Sequence, residues 1–303
     1  MLIRLWPVLV VAFVSGVRAQ APGGAGGPAV QVTVTAEGHH GSTPAAVSAK
    51  DVSVYSGKDR LEVLDLVPAA PDHRDLQLMI LIDDGADSSL GTQIGDIKKF
   101  ITGLPGGSQV ALGYMRDGTI RTAQDFTTEY AAVANKVRLP LGSPGVTGSP
   151  YFALEDAIKR WPPSKGRREV LMITDGIDLY GGVGPGNTYV TTAVEHAQRA
   201  GIVVHSIFWS GAGHASHRFW ARNWGQNYLS QLADGTGGEA YWQGFGNPVS
   251  FAPFLEDLTK RLDHQYTLTF RAKARAKPGL ETIRIRTEVP NTELVGPTQV
   301  WVP

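Results

Sequence analysis

The chain has 303 residues, with 28 Lys plus Arg against 28 Asp plus Glu, and no cysteine. Balanced charge argues against a nucleic-acid binder driven by bulk phosphate attraction, and zero cysteines exclude disulfides, a thiol nucleophile and any Cys-based zinc centre. At this length one larger domain with an accessory module is expected, stabilised by core burial alone.

In chain order, Met1-Leu2-Ile3-Arg4 is a positive start, residues 5–14 are apolar and Val17-Arg18-Ala19 is a small-x-small ending. That is the pattern of a secretory signal peptide over residues 1–19, and cleavage is expected after Ala19. The alternative is an uncleaved anchor, but the apolar run is well short of the ~20 residues of a membrane span. The mature chain is expected to be soluble and secreted or periplasmic. Residues 20–28 are a Gly/Pro linker that cannot bury apolar surface.

Residues 29–72 read as N-terminal β-strands. Residues 30–36 alternate, and 52–55 and 61–64 flank the turn Ser56-Gly57-Lys58-Asp59 as a hairpin. Over residues 73–264 strands alternate with helical stretches, which predicts a doubly wound, mainly parallel α/β sheet. Strands are expected at 78–82, 110–115, 119–126, 170–174, 202–209 and 239–242, with 110–115 and 119–126 as an antiparallel edge pair. Helices are expected at 91–104, 151–161, 191–200, 227–233 and 251–262. Residues 265–303 return to β patterns at 266–271, 282–288 and 299–302. Because an isolated hairpin is marginal, the two flanks are expected to meet as one small antiparallel β module beside the α/β block.

Two of the apolar runs close on acids. Residues 78–82 lead into Asp83-Asp84-Gly85-Ala86-Asp87-Ser88-Ser89 and residues 170–173 into Thr174-Asp175-Gly176, with Gly145-Val146-Thr147-Gly148-Ser149 between them. Ligands of open parallel sheets bind beyond the carboxyl ends of the strands, and hard oxygen ligands gathered there suit a divalent cation.

On these residues the chain resembles the von Willebrand factor type A (vWA) domain, whose metal-ion-dependent adhesion site uses an Asp-x-Ser-x-Ser strand end, a distant Thr and a distant Asp. Asp83, Thr147 and Asp175 match by type and order, whereas positions 85 and 87, serines in that family, are Gly and Asp here. The segments 200–207, 232–238 and 264–266 look like those of bacterial secreted vWA-related proteins. Together the matches cover roughly residues 76 to 270.

The resemblance implies a Rossmann-like vWA fold. It also implies a modified metal site in which Asp83, Asp87, Thr147 and Asp175 hold Mg²⁺, Mn²⁺ or Ca²⁺, and an acidic group of a protein partner completes the coordination. Asp84 or Asp178 would stand in the outer shell. The alternative is that Asp83 and Asp87 cap the following helix starts and Thr147 bonds only backbone, since side-chain oxygens there satisfy free amides.

Residues 210–226 are expected to be a long loop on the same rim. Its Arg218, Phe219, Trp220, Arg222 and Trp224 have the composition of a partner-binding hot spot, or else fold back over the sheet edge. His214 and His217 are a pair without a third ligand, as are His39 and His40, and read as solvated surface.

No Gly-x-Ser-x-Gly elbow or Walker loop occurs in the sequence. Asp83 also resembles the nucleophile of haloacid-dehalogenase-like phosphatases, but those enzymes place a second acid two residues on, where this chain has Gly85. The expected function is a non-enzymatic binding or adhesion protein. The alternatives are a metal-independent scaffold of a cell-envelope assembly and a Mg²⁺-dependent phosphohydrolase.

Overall fold

The computed structural model describes residues 27–141, 148–164, 166–211, 218–244 and 246–303. The N-terminal flank holds β1 (Ala29–Gly38), β2 (Val52–Ser56), β3 (Asp59–Leu61) and β4 (Val63–Pro68). The α/β block follows with β5 (Leu76–Asp83), α1 (Ile94–Gly103), β6 (Gln109–Arg116), β7 (Thr119–Thr127), α2 (Tyr130–Asn135), α3 (Pro150–Lys159) and β8 (Arg167–Thr174). It continues through α4 (Thr188–Ala200), β9 (Ile202–Phe208), α5 (Phe219–Thr236), β10 (Ala240–Tyr241) and α6 (Ala252–Asp263). The C-terminal flank is β11 (Gln265–Arg271), β12 (Gly279–Thr282), β13 (Arg284–Thr287), β14 (Thr292–Val295) and β15 (Gln299–Val302).

The central sheet has the order β10-β9-β8-β5-β6-β7, and only the β6–β7 pairing at one edge is antiparallel. Its inner strands are apolar on both faces because both faces are covered. Leu78, Ile80 and Ile82 of β5 pack with Ile97, Phe100 and Leu258 from α1 and α6. Met79 and Leu81 pack on the other face with Leu154, Val194 and Leu232 from α3, α4 and α5.

In the flanks β1 pairs with both β11 and β14, giving the order β14-β1-β11-β4, while β13 pairs with β2 in a second sheet. Val34, Val54, Leu268 and Phe270 share one core there. Buried Arg167 ties both chain crossings to the α/β block. It donates to Asp75, ahead of β5, at 3.0 and 3.2 Å, to the Leu262 carbonyl at 3.2 Å, and to Gln265, which opens β11.

Several boundaries differ from expectation. Residues 61–64 are not one strand: β3 pairs with β2, and β4 starts afresh at Val63 against β11. Residues 282–288 likewise divide, with β12 on β15 and β13 on β2. α2 and β14 were not expected, both being too short to show a periodicity. The residues preceding α1 form a 3-10 turn, Ser88–Gln93.

The largest correction concerns the predicted loop 210–226. Residues from Phe219 onward are already helical, so α5 begins two turns before the expected 227. Ala221, Gly225, Tyr228, Leu229 and Leu232 lie on its buried side, with the helical spacing i, i+4, i+7, i+8, i+11. The interior glycine and the mixed aromatic composition hid this periodicity.

Candidate functional site at the carboxyl rim of the central sheet

The parallel strands end on one rim. The β5–β8 register sets Ile82 opposite Ile173, so Asp83 emerges beside Thr174, with Asp175 one residue further on. Thr174 Oγ1 donates to Asp83 Oδ2 at 2.8 Å, and the Gly85 amide donates to Asp83 Oδ1 at 2.9 Å. The same hydroxyl accepts from the Gly176 amide at 3.2 Å. Thr174 is thus the hydroxyl that serves Asp83. Its signal lay in the sequence, as the polar residue closing the second apolar run; Thr147, the hydroxyl expected among the metal ligands, lies outside the described residues.

Burial pushes the Asp83 carboxyl above its ordinary range, against the lowering effect of the Thr174 and Gly85 hydrogen bonds, and the neighbouring Asp84 charge adds to the rise. Asp84 behaves oppositely. Its burial is outweighed by hydrogen bonds from Arg138 and from the Leu141 amide, both at 2.8 Å, and its carboxyl is held below the usual range. Arg138 also stacks 3.7 Å from the Tyr114 ring centroid. Asp84 therefore pins the 138–141 segment to the rim.

The remaining acids act on backbone. Asp87 caps the 3-10 turn by accepting from the Ser89 amide at 2.7 Å, and its own amide donates to the Ser210 carbonyl at 3.4 Å. Asp175 accepts from the Ile177 amide at 2.9 Å. Fully buried Asp178 accepts from the Tyr180 and Gly181 amides and from Asn187 Nδ2, and Asn187 in turn caps α4.

The predicted ligands Asp83, Asp87 and Asp175 thus share a rim, and the fourth, Thr147, lies outside the described residues. Among the described residues no three His, Asp or Glu side chains are grouped closely enough to hold a cation. Position 85 has no side chain to donate, and a Cβ there would stand 3.3 Å from Asp83 Oδ1. Both Asp83 oxygens are engaged, by Thr174 and the Gly85 amide, while Asp87 and Asp175 each accept from a backbone amide through Oδ1.

The five predicted contact residues separate. Arg218 is the N-cap of α5 and is exposed with Phe219 and Trp220, and its guanidinium lies 6.0 Å from the Trp220 centroid. Trp224 and Arg222 are half-buried, and Trp224 packs on Tyr228 at 5.8 Å. His214 and His217 lie outside the described residues.

Exposed large apolar side chains are distributed unevenly. Leu139 and Leu141 follow the Asp84 contact, Leu179 and Tyr180 follow β8, Phe219 and Trp220 open α5, and Trp242 and Val249 lie between β10 and α6. All eight belong to segments at the carboxyl rim. The other two exposed ones among the described residues, Leu64 and Val67, are on β4.

No protein-family model matches this chain. No curated protein sequence matches it either. Solved structures do overlap with it. An aerotolerance-related membrane protein from Bacteroides fragilis is 15% identical over 62% of this chain and 98% of its own, with a TM-score of 0.44. A von Willebrand factor type A protein from Catenulispora acidiphila is 10% identical over 82% of this chain and 75% of its own, at 0.44. Proximal thread matrix protein 1 from the mussel byssus, solved with a zinc-occupied MIDAS motif, is 14% identical over 69% and 50%, at 0.48. By its strand order and its antiparallel edge strand β7, this chain has a doubly wound, mainly parallel α/β fold, and the solved structures it overlaps include a von Willebrand factor type A protein.

Proposed function

We propose that this chain is a non-enzymatic protein-binding domain that works outside the cytoplasm and engages its partner with the carboxyl rim of the central sheet. The observation that carries this reading is the concentration there of exposed apolar side chains, eight of the ten among the described residues. Monomeric soluble proteins rarely expose such groups together unless a partner covers them, and open α/β sheets bind ligands at this edge. Tyr180, Phe219 and Trp220 supply large, stiff contact area of the kind that dominates interface energetics.

The rim acids support a structural use, since each caps or braces a segment that presents those side chains. This reading does not require a cation. The export pattern of residues 1–19 supports the location, and no helix of the described residues is long and apolar enough to cross a membrane.

A photoreactive amino acid placed at position 180 or 220, and at position 64 as the control, tests the proposal in the cells that make the protein. A discrete adduct is expected from 180 and 220, unchanged by EDTA, and none from 64. Absence of rim adducts, or equal adducts at all three positions, would overturn it.

A further inference from the structure

The seam between the β module and the α/β block contains an open cleft of about 520 Å³, on the side of the sheet away from the carboxyl rim. β1 contributes Gln31, β15 contributes Trp301, β8 contributes Arg168 and α4 contributes Gln198 and Arg199. The lining includes two arginines and no aspartate or glutamate.

The charge of Arg168 is not matched by an acid. Its Nη1 donates to the Ala200 carbonyl at 3.1 Å and its Nη2 to the Ser164 carbonyl at 2.8 Å, and no carboxylate among the described residues lies within ion-pair distance of it. Capping the carboxyl end of α4 is one use of this side chain. Both of these contacts are to neutral carbonyls, so no formal negative charge faces the guanidinium. Arg199 lies over the Trp301 ring at 4.7 Å, and its carboxylate neighbour, Glu195, is 3.7 Å away on an exposed surface where such a pair neutralises little.

We propose that this seam cleft is a binding site for a small organic anion bearing two acidic groups, carboxylate or phosphate. Arg168 and Arg199 take one group each, and the flat wall of Trp301 backs the body of the ligand. Two guanidiniums in one cleft favour such an anion because arginine forms paired, charge-assisted hydrogen bonds with both kinds of oxyanion. Since the lining comes from both modules, the bound anion joins them, and occupancy stabilises the whole chain.

The test is calorimetric titration and thermal unfolding of the full chain with citrate and, separately, with inorganic pyrophosphate, which carries two phosphoryl groups, at constant ionic strength. Saturable binding of at least one is expected, with a rise in Tm of about 5 °C at about a hundredfold excess over Kd. Citrate alone identifies a carboxylate ligand, and pyrophosphate alone a phosphorylated one. Arg199→Gln is expected to weaken binding by about tenfold or more with unchanged circular dichroism, and Arg168→Gln to abolish it. Should Arg168→Gln fail to fold, Arg199→Gln decides. No saturable binding of either anion, or equal binding by wild type and Arg199→Gln, overturns the site.

Discussion

Gly176 and Gly225 are pressed together where the turn after β8 meets α5. A Cβ on Gly176 would stand 2.6 Å from the Gly225 carbonyl oxygen, and a Cβ on Gly225 would stand 2.1 Å from the carbonyl oxygen of Asp175. Gly176 also has φ of +65°, a backbone conformation that side chains disfavour. This contact holds the amino-terminal turns of α5, and with them Phe219 and Trp220, against the rim.

Gly225→Ala is accordingly expected to destabilise. Alanine is the better helix former by about 1 kcal/mol, but its methyl group must displace backbone, which costs about 2–4 kcal/mol. Urea unfolding should show a net loss. A gain would mean that α5 can lift off the turn freely.

Thr174→Val removes the hydroxyl that links Asp83 to the Gly176 amide. At neutral pH a loss of about 1–3 kcal/mol is expected, because a partly buried carboxylate loses its donor. The folded state already raises the Asp83 pKa, so protonation favours folding, and this contribution is lost as pH rises through the raised value. The difference between variant and wild type should therefore shrink as pH falls to about 4. Unfolding midpoints at the two pH values measure it.

Arg138→Met acts with the opposite sign. Asp84 has a lowered pKa, so its contribution is present above the ordinary carboxylate range and lost as pH falls through the lowered value. Removing the guanidinium leaves a buried acid without its cation, at a cost of about 3 kcal/mol at neutral pH. Hydrogen exchange should rise in the 138–141 segment before it rises in β5.

His205→Leu probes the buried pair beneath the sheet. His205 Nδ1 accepts from the Glu239 amide at 3.0 Å, so the proton resides on Nε2, which donates to Glu169 at 2.9 Å. Burial acts to raise the Glu169 carboxyl, but the hydrogen bond from His205 and the nearby Arg167 charge hold it below its ordinary range. Its stabilisation is thus present above that range and fades as pH falls. The variant is expected to lose about 3–5 kcal/mol at neutral pH and less in acid, as followed by denaturant unfolding.

Phe219→Ser combined with Trp220→Ser should leave stability within about 0.5 kcal/mol, since both side chains are exposed. Leu229→Ala, three turns along the same helix and buried, should cost about 2–5 kcal/mol. A large loss from the double substitution would mark the aromatics as core rather than contact surface.

Much of the α/β block could be read directly from the chain. Residues 78–82 and 170–174 are short apolar runs closed by acids, and the structure places them as β5 and β8, side by side and parallel. The antiparallel edge pair β6–β7 was legible from Arg116-Asp117-Gly118, where Asp117 and Gly118 both have positive φ. α5 was not, because its first two turns carry Gly225 and exposed aromatics that obscure the apolar stripe.

By itself the sequence determined which segments were buried on both faces and which residues closed them, because strand and helix periodicities are local properties. Only the tertiary structure decided that Thr174 donates to Asp83, that Asp84 holds the 138–141 segment through Arg138, and that Gly176 and Gly225 touch. Those are contacts between segments tens of residues apart, and no local pattern encodes the distance between two side chains on different strands. The same holds for the switch of sheets between β3 and β4, where adjacent residues choose partners more than 200 positions away from each other.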